Sequence, residues 1–133
     1  MGRTFSVGQP GDLQKKIYTA LKAGLEQGLS RVKPGVKMKE IYRVIQETVN
    51  RSGLKWCARQ NMGHMLGIGP GNSQETPMIS PDEETELKPN MVMCIENGAY
   101  LGRVGAFQLE EEVVVTPDGY KLLTKLPRDM IEL

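Results

Sequence analysis

Met91-Val92-Met93-Cys94-Ile95-Glu96 is the stretch on which the reading of this chain turns. Five apolar side chains in succession read as a strand buried on both faces. The run then ends on a carboxylate, so Glu96 is delivered straight from a buried strand. A buried carboxylate must be paired, protonated or metal-bound, because an isolated buried charge is too costly. The other reading is that the strand has surfaced by Glu96 and water solvates it. The residues alone leave both open.

Toward the carboxyl terminus, Val113-Val114-Val115 is β-branched and reads as a second strand. Thr116-Pro117-Asp118-Gly119 has proline and glycine where turn geometry wants them, which predicts a hairpin returning through Tyr120 to Thr124. Gly69-Pro70-Gly71-Asn72-Ser73 and Pro81 to Glu86 read as loops. Toward the amino terminus the period changes. After Gln9-Pro10-Gly11, residues Leu13, Ile17, Leu21, Leu25 and Gly28 recur close to one helical face, with Pro10 and Asp12 suited to its entrance. Pro34-Gly35 breaks the pattern. Met38, Ile41, Ile45, Thr48 and Val49 then mark a second helix, which stops at Ser52-Gly53. Two helices followed by an antiparallel sheet make an α+β pattern. No repeat or linker divides it, so residues 1–133 read as one domain.

The composition narrows the function. A net charge of +1 gives no electrostatic argument for nucleic acid or for an anionic membrane. No apolar run approaches the ~20 residues that span a bilayer. Met1-Gly2 through Ser6 fits the loose, commonly matched pattern for myristoylation. Cys57 and Cys94 lie among apolar neighbours and read as small buried hydrophobes, not as a disulfide framework or zinc site. A reducing cytoplasm is the default compartment.

Besides Glu96, two positions carry chemistry. His64, the single histidine, lies in Gly63-His64-Met65-Leu66-Gly67, where glycines leave room beside the ring. Its ordinary reading is a partly buried histidine bonded to backbone. Glu110 opens the run Glu110-Glu111-Glu112. Alternation puts Glu110 and Glu112 on one face of a strand and Glu111 on the other. A cation would relieve their repulsion, and so would water at a solvated acidic edge. One histidine and two glutamates from three β segments are a recognised metal-ligand set.

The order of motifs is more specific than any one of them. Arg3-Thr4-Phe5, Gly8 and Pro10, then Lys33-Pro34-Gly35, Gly63-His64-x-x-Gly67, Glu75-Thr76-Pro77, Leu87-Lys88-Pro89-Asn90-Met91, Ile95-Glu96-Asn97-Gly98, Leu109-Glu110-Glu111 and Val115-Thr116-Pro117-Asp118-Gly119 follow one another along nearly the whole chain. In this series the chain resembles the pita-bread family of methionine aminopeptidase, aminopeptidase P, prolidase and creatinase. The resemblance implies one pseudo-symmetric half of that fold, the carboxyl-terminal one: two helices followed by a curved antiparallel sheet. It implies a Xaa-Pro peptidase-like hydrolase acting on peptides, with His64, Glu96 and Glu110 as ligands of a divalent metal pair (manganese, cobalt or zinc) that activates a bridging water. The assignment of Glu110 over Glu111 rests on its place after Leu109.

Departures from the family pattern set limits. The family's two aspartate ligands lie before the segment where this chain begins, and Asp12, on a helix, cannot replace them. Gln74 stands at the position of the substrate-binding histidine, and it cannot act as a cationic acid. Gln108 replaces a common arginine, while Asn90 and Asn97 replace a glycine and a proline. The isolated chain is therefore expected to bind metal weakly or not at all and to be inactive. Half of such a sheet leaves an edge and a face uncovered, which implies a homodimer or a separate amino-terminal half. A metal-independent amidohydrolase of the creatinase type and a non-catalytic pita-bread binding module are the alternatives.

Overall fold

The computed structural model describes residues 1–67 and 76–133. The loop read at Gly69–Ser73, Gln74 and Glu75 lie outside the described residues. Helix α1 spans Asp12–Leu29 and α2 spans Met38–Arg51. Each begins after an extended residue whose backbone N–H donates to a side chain three positions on: Gly11 to Gln14 Oε1 at 2.7 Å, and Lys37 to Glu40 Oε1 at 3.1 Å. These bonds satisfy donors that the helix itself leaves over. Helix α1 buries Ile17, Leu21, Leu25 and Leu29, and α2 buries Met38, Ile41, Ile45 and Val49. Leu13, at the start of α1, is half exposed. The hydroxyl of Thr48 donates to the Val44 carbonyl one turn back within α2.

The sheet contains β2 (Gly63–Met65), β3 (Val92–Leu101), β4 (Gly105–Val115) and β5 (Tyr120–Leu122), in that order and wholly antiparallel. The strand expected at Met91–Ile95 runs on to Leu101, and the one expected at Val113–Val115 begins at Gly105. A tight connection joins them, with Val104 N–H donating to the Leu101 carbonyl at 3.0 Å. The turn at Thr116 is present, closed by Thr116 N–H to the Gly119 carbonyl at 2.9 Å. A two-stranded parallel pair, β1 (Phe5–Ser6) with β6 (Ile131–Glu132), was not expected from the sequence. Two residues per strand carry too little pattern to be read.

One sheet face packs on α1. From it Met93, Ile95, Asn97 and Ala99 of β3, with Phe107, Leu109, Val113 and Val115 of β4, are buried. At ~25 cal/mol per Å² of apolar area, these side chains and the two helical stripes supply the main drive for folding. Neighbouring backbone covers much of the sheet margin. Gly2 bridges Glu110 on β4 where β5 has ended, and Met78 bridges His64 on the outer side of β2. Among the described residues no helix is long and apolar enough to cross a membrane.

Candidate metal centre

The sheet face turned away from the helices positions the polar residues. Directly opposed residues on antiparallel strands share a face. Register places His64 opposite Cys94, Cys94 opposite Glu112, Glu96 opposite Glu110 and Gly98 opposite Gln108. His64, Glu96 and Glu110 therefore come from three adjacent strands onto one face. The glycine before His64 is dictated by packing. Gly63 has φ +133, and a Cβ built on it would lie 2.1 Å from the Cys94 carbonyl oxygen. Only glycine lets β2 come this close to β3 in that conformation.

Each carboxylate on the face is engaged. The Glu96 side chain is only 14% exposed, so it is not a solvated strand end. Its Oε1 accepts from Arg59 Nη2 at 3.0 Å and its Oε2 from Gln108 Nε2 at 2.8 Å. The Tyr100 hydroxyl donates to Gln108 Oε1 at 2.9 Å, which orients that amide. The Met1 amino group donates to Glu110 Oε1 at 3.0 Å and to Glu112 Oε1 at 2.8 Å. Burial alone would raise the Glu110 carboxyl. Hydrogen bonds from the Cys94 thiol and the Met1 amine, with the charges of that amine and His64, hold it below its ordinary value. Desolvation, the bond to Glu110 and the charges of Glu110 and Glu96 push the Cys94 thiol far up. His64 Nδ1 donates to the Met65 carbonyl at 2.9 Å, which fixes the ring.

Glu111 faces the other way. It is buried, at 2% side-chain exposure, and its Oε1 accepts from Arg3 Nη2 at 2.7 Å and Arg128 Nε at 2.8 Å. The Thr124 hydroxyl donates to its Oε2. Arg3 also donates to the carbonyls of Glu110, Leu126 and Pro127. The acidic run is thus not a solvated edge. Its middle member ties the amino-terminal segment to the carboxyl-terminal one.

Whether a metal pair fits can be tested on the donors themselves. Among the described residues no group of three or more His, Cys, Asp or Glu side chains is disposed to hold a metal ion. Glu96 spends both oxygens on Arg59 and Gln108. The donors present share a face but do not make a cage, so they do not by themselves fit the metal pair. Sequence reasoning missed Arg59 and the place of Cys94 on this face. Counting back two from Glu96 finds Cys94 by alternation. Arg59 lies between α2 and β2 in a stretch without periodicity, and no local signal marks it.

A sequence profile of metallopeptidase family M24 matches residues 1–117. The chain belongs to that family. Among M24 relatives, a Xaa-Pro dipeptidase from Pyrococcus horikoshii is 31% identical over 129 residues, covering 97% of this chain but 36% of the relative. The chain thus spans about a third of the length of the curated relatives it matches. The crystal structure of an X-Pro aminopeptidase from Thermotoga maritima superposes with TM-score 0.89 at 30% identity, over 98% of this chain and 36% of that one. The two helices and four-stranded antiparallel sheet match one half of these pita-bread structures, as expected. The N-terminal domain of a FACT complex subunit from chickpea (Cicer arietinum) superposes with TM-score 0.77 at 20% identity, over 88% of this chain and 30% of that one. That likeness is one of fold alone.

Proposed function

We propose that residues 1–133 form the carboxyl-terminal half of a Xaa-Pro peptidase-like catalytic domain. In this reading His64, Glu96 and Glu110 are three ligands of a divalent metal pair, and two aspartates come from residues outside these 133. One observation carries the proposal: Glu96 and Glu110 are paired in register on adjacent strands, with His64 on the same face. Glu110 is favoured over Glu111, whose carboxylate is buried on the opposite face between Arg3 and Arg128. The M24 membership and the Xaa-Pro dipeptidase relatives support a peptide substrate. A homodimer or a separate amino-terminal half to cover the sheet's edge and face, and a cytoplasmic setting, belong to the same reading. No hydrolytic step is assigned to these residues alone, because they do not complete a metal cage.

Calorimetric titration with manganese, cobalt or zinc tests the ligand assignment. The chain is expected to bind weakly, and Glu96→Ala is expected to weaken what binding there is. An isotherm that Glu96→Ala leaves unchanged would remove Glu96 from the set. A second reading, a non-catalytic binding module, is favoured by the bonds from Arg59 and Gln108 to Glu96, since a carboxylate satisfied within its own chain needs no metal. Gln74, in place of the family's substrate-binding histidine, points the same way.

A further inference from the structure

Arg59 has no place in the ligand set, yet it is built into the face on which that set lies. Its carbonyl accepts from the Tyr42 hydroxyl at 2.6 Å, and its N–H donates to Gln46 Oε1 at 3.4 Å, so α2 fixes its backbone. Its Nε donates to the Asn61 carbonyl at 3.3 Å and its Nη2 to Glu96 at 3.0 Å. The sheet leaves room for it. A Cβ on Gly98 would lie 2.6 Å from Arg59 Nη1 and 2.8 Å from the Phe107 carbonyl oxygen, so β3 carries glycine where the guanidinium rests. Nη1 itself is buried without a hydrogen-bond partner. An unmade bond of that kind is costly, and against it the guanidinium gains the charge of Glu96 and the longer bond to the Asn61 carbonyl. Glu110, directly across the ladder, is a second carboxylate beside that charge.

We infer that Arg59 is the resident counter-cation of this face: it neutralises Glu96 from within the chain and must leave that carboxylate before a divalent cation can use it. The inference rests on the reading of Glu96 as a ligand. A guanidinium at 3.0 Å supplies the charge compensation that a metal would otherwise give, and its own charge repels a dication approaching the same oxygen. Gln108 holds the other oxygen in the orientation that suits the pair. The mismatch between the family's ligand set and this chain's bonding is then a competition between two cations. Arg59 stabilises the metal-free state at the expense of metal affinity.

Two measurements on the full 133-residue chain test this. In EDTA, Arg59→Met is expected to lower the thermal unfolding midpoint, and adding Glu96→Gln to recover part of the loss by removing the unpaired carboxylate. With manganese chloride alone as the probe, Arg59→Met is expected to bind about ten-fold tighter than the unsubstituted chain, while Arg59→Lys, which keeps the charge, stays weak. If Arg59→Met does not fold, Arg59→Gln carries the same expectation. Unchanged or weaker manganese binding by the folded, uncharged variant overturns the inference. If affinity rises but Glu96→Gln in that background leaves it high, Glu96 is not the ligand. The competition for Glu96 then falls with that assignment, whereas the metal-free coupling of the two residues stands or falls on the EDTA measurement.

Discussion

Glu111 and Glu112 are neighbours in the chain but unequal in energy. Glu111 is fully enclosed, facing Arg3 at 3% side-chain exposure. Glu112 meets the Met1 amine at a half-open surface. Breaking a buried pair leaves an uncompensated charge, so Glu111→Gln is expected to cost about 3–5 kcal/mol by urea unfolding. Glu112→Gln should cost about 1 kcal/mol or less, as surface pairs do. Equal losses would mean that the enclosed network does not anchor the two termini as described. At this scale the sequence was partly legible. Alternation through Glu110-Glu111-Glu112 assigns the faces correctly, because strand geometry is local. The partners are not legible, since Arg3 and Arg128 reach Glu111 from more than a hundred positions before it and from beyond β5. Arg59 reaches Glu96 from a connection with no regular structure.

Among elements, the approach of β2 to β3 is the most demanding contact on the site face. Gly63→Ala puts a methyl group against the Cys94 carbonyl in a conformation that alanine rarely adopts. A loss of about 3 kcal/mol or more is expected, with His64 displaced from its register opposite Cys94. Gly35 offers the control. It also has positive φ, at +83, but nothing lies within 4 Å of its absent Cβ, so Gly35→Ala should cost only about 1–2 kcal/mol. Chemical denaturation of both variants, with the His64 ring resonances followed by NMR, separates steric contact from backbone strain. If the two losses match, the close crossing is not what demands glycine. The helices were readable because their stripes recur over many turns, and the Thr116 turn because its residues fit the geometry. The length of β3 was not, since Asn97-Gly98 resembles a break. The structure explains the exception: Asn97 is fully buried with its amide donating to the Leu21 carbonyl of α1 at 3.0 Å, and Gly98 makes room for Arg59.

At the largest scale, residues 1–133 make one half of a pita-bread arrangement, with helices over one sheet face and a polar, acidic face on the other. The motif series reads that architecture in advance because several of its motifs serve local needs: a close strand crossing at Gly63, a turn at Thr116, and carboxylates on the ladder at Glu96 and Glu110. Completeness of the site is a different matter. His64, Glu96 and Glu110 share one face, while the cation that engages Glu96 is the side chain of Arg59. A family ligand set can thus be present in sequence and committed to other bonds in space. On the proposed reading, these 133 residues hold part of a peptidase site and do not work it alone. Hydrolysis of a Xaa-Pro dipeptide by the purified chain, with manganese supplied, tests this most directly. A rate no higher than that of the enzyme-free blank is expected, and clear manganese-dependent turnover would show that these residues work the site unaided.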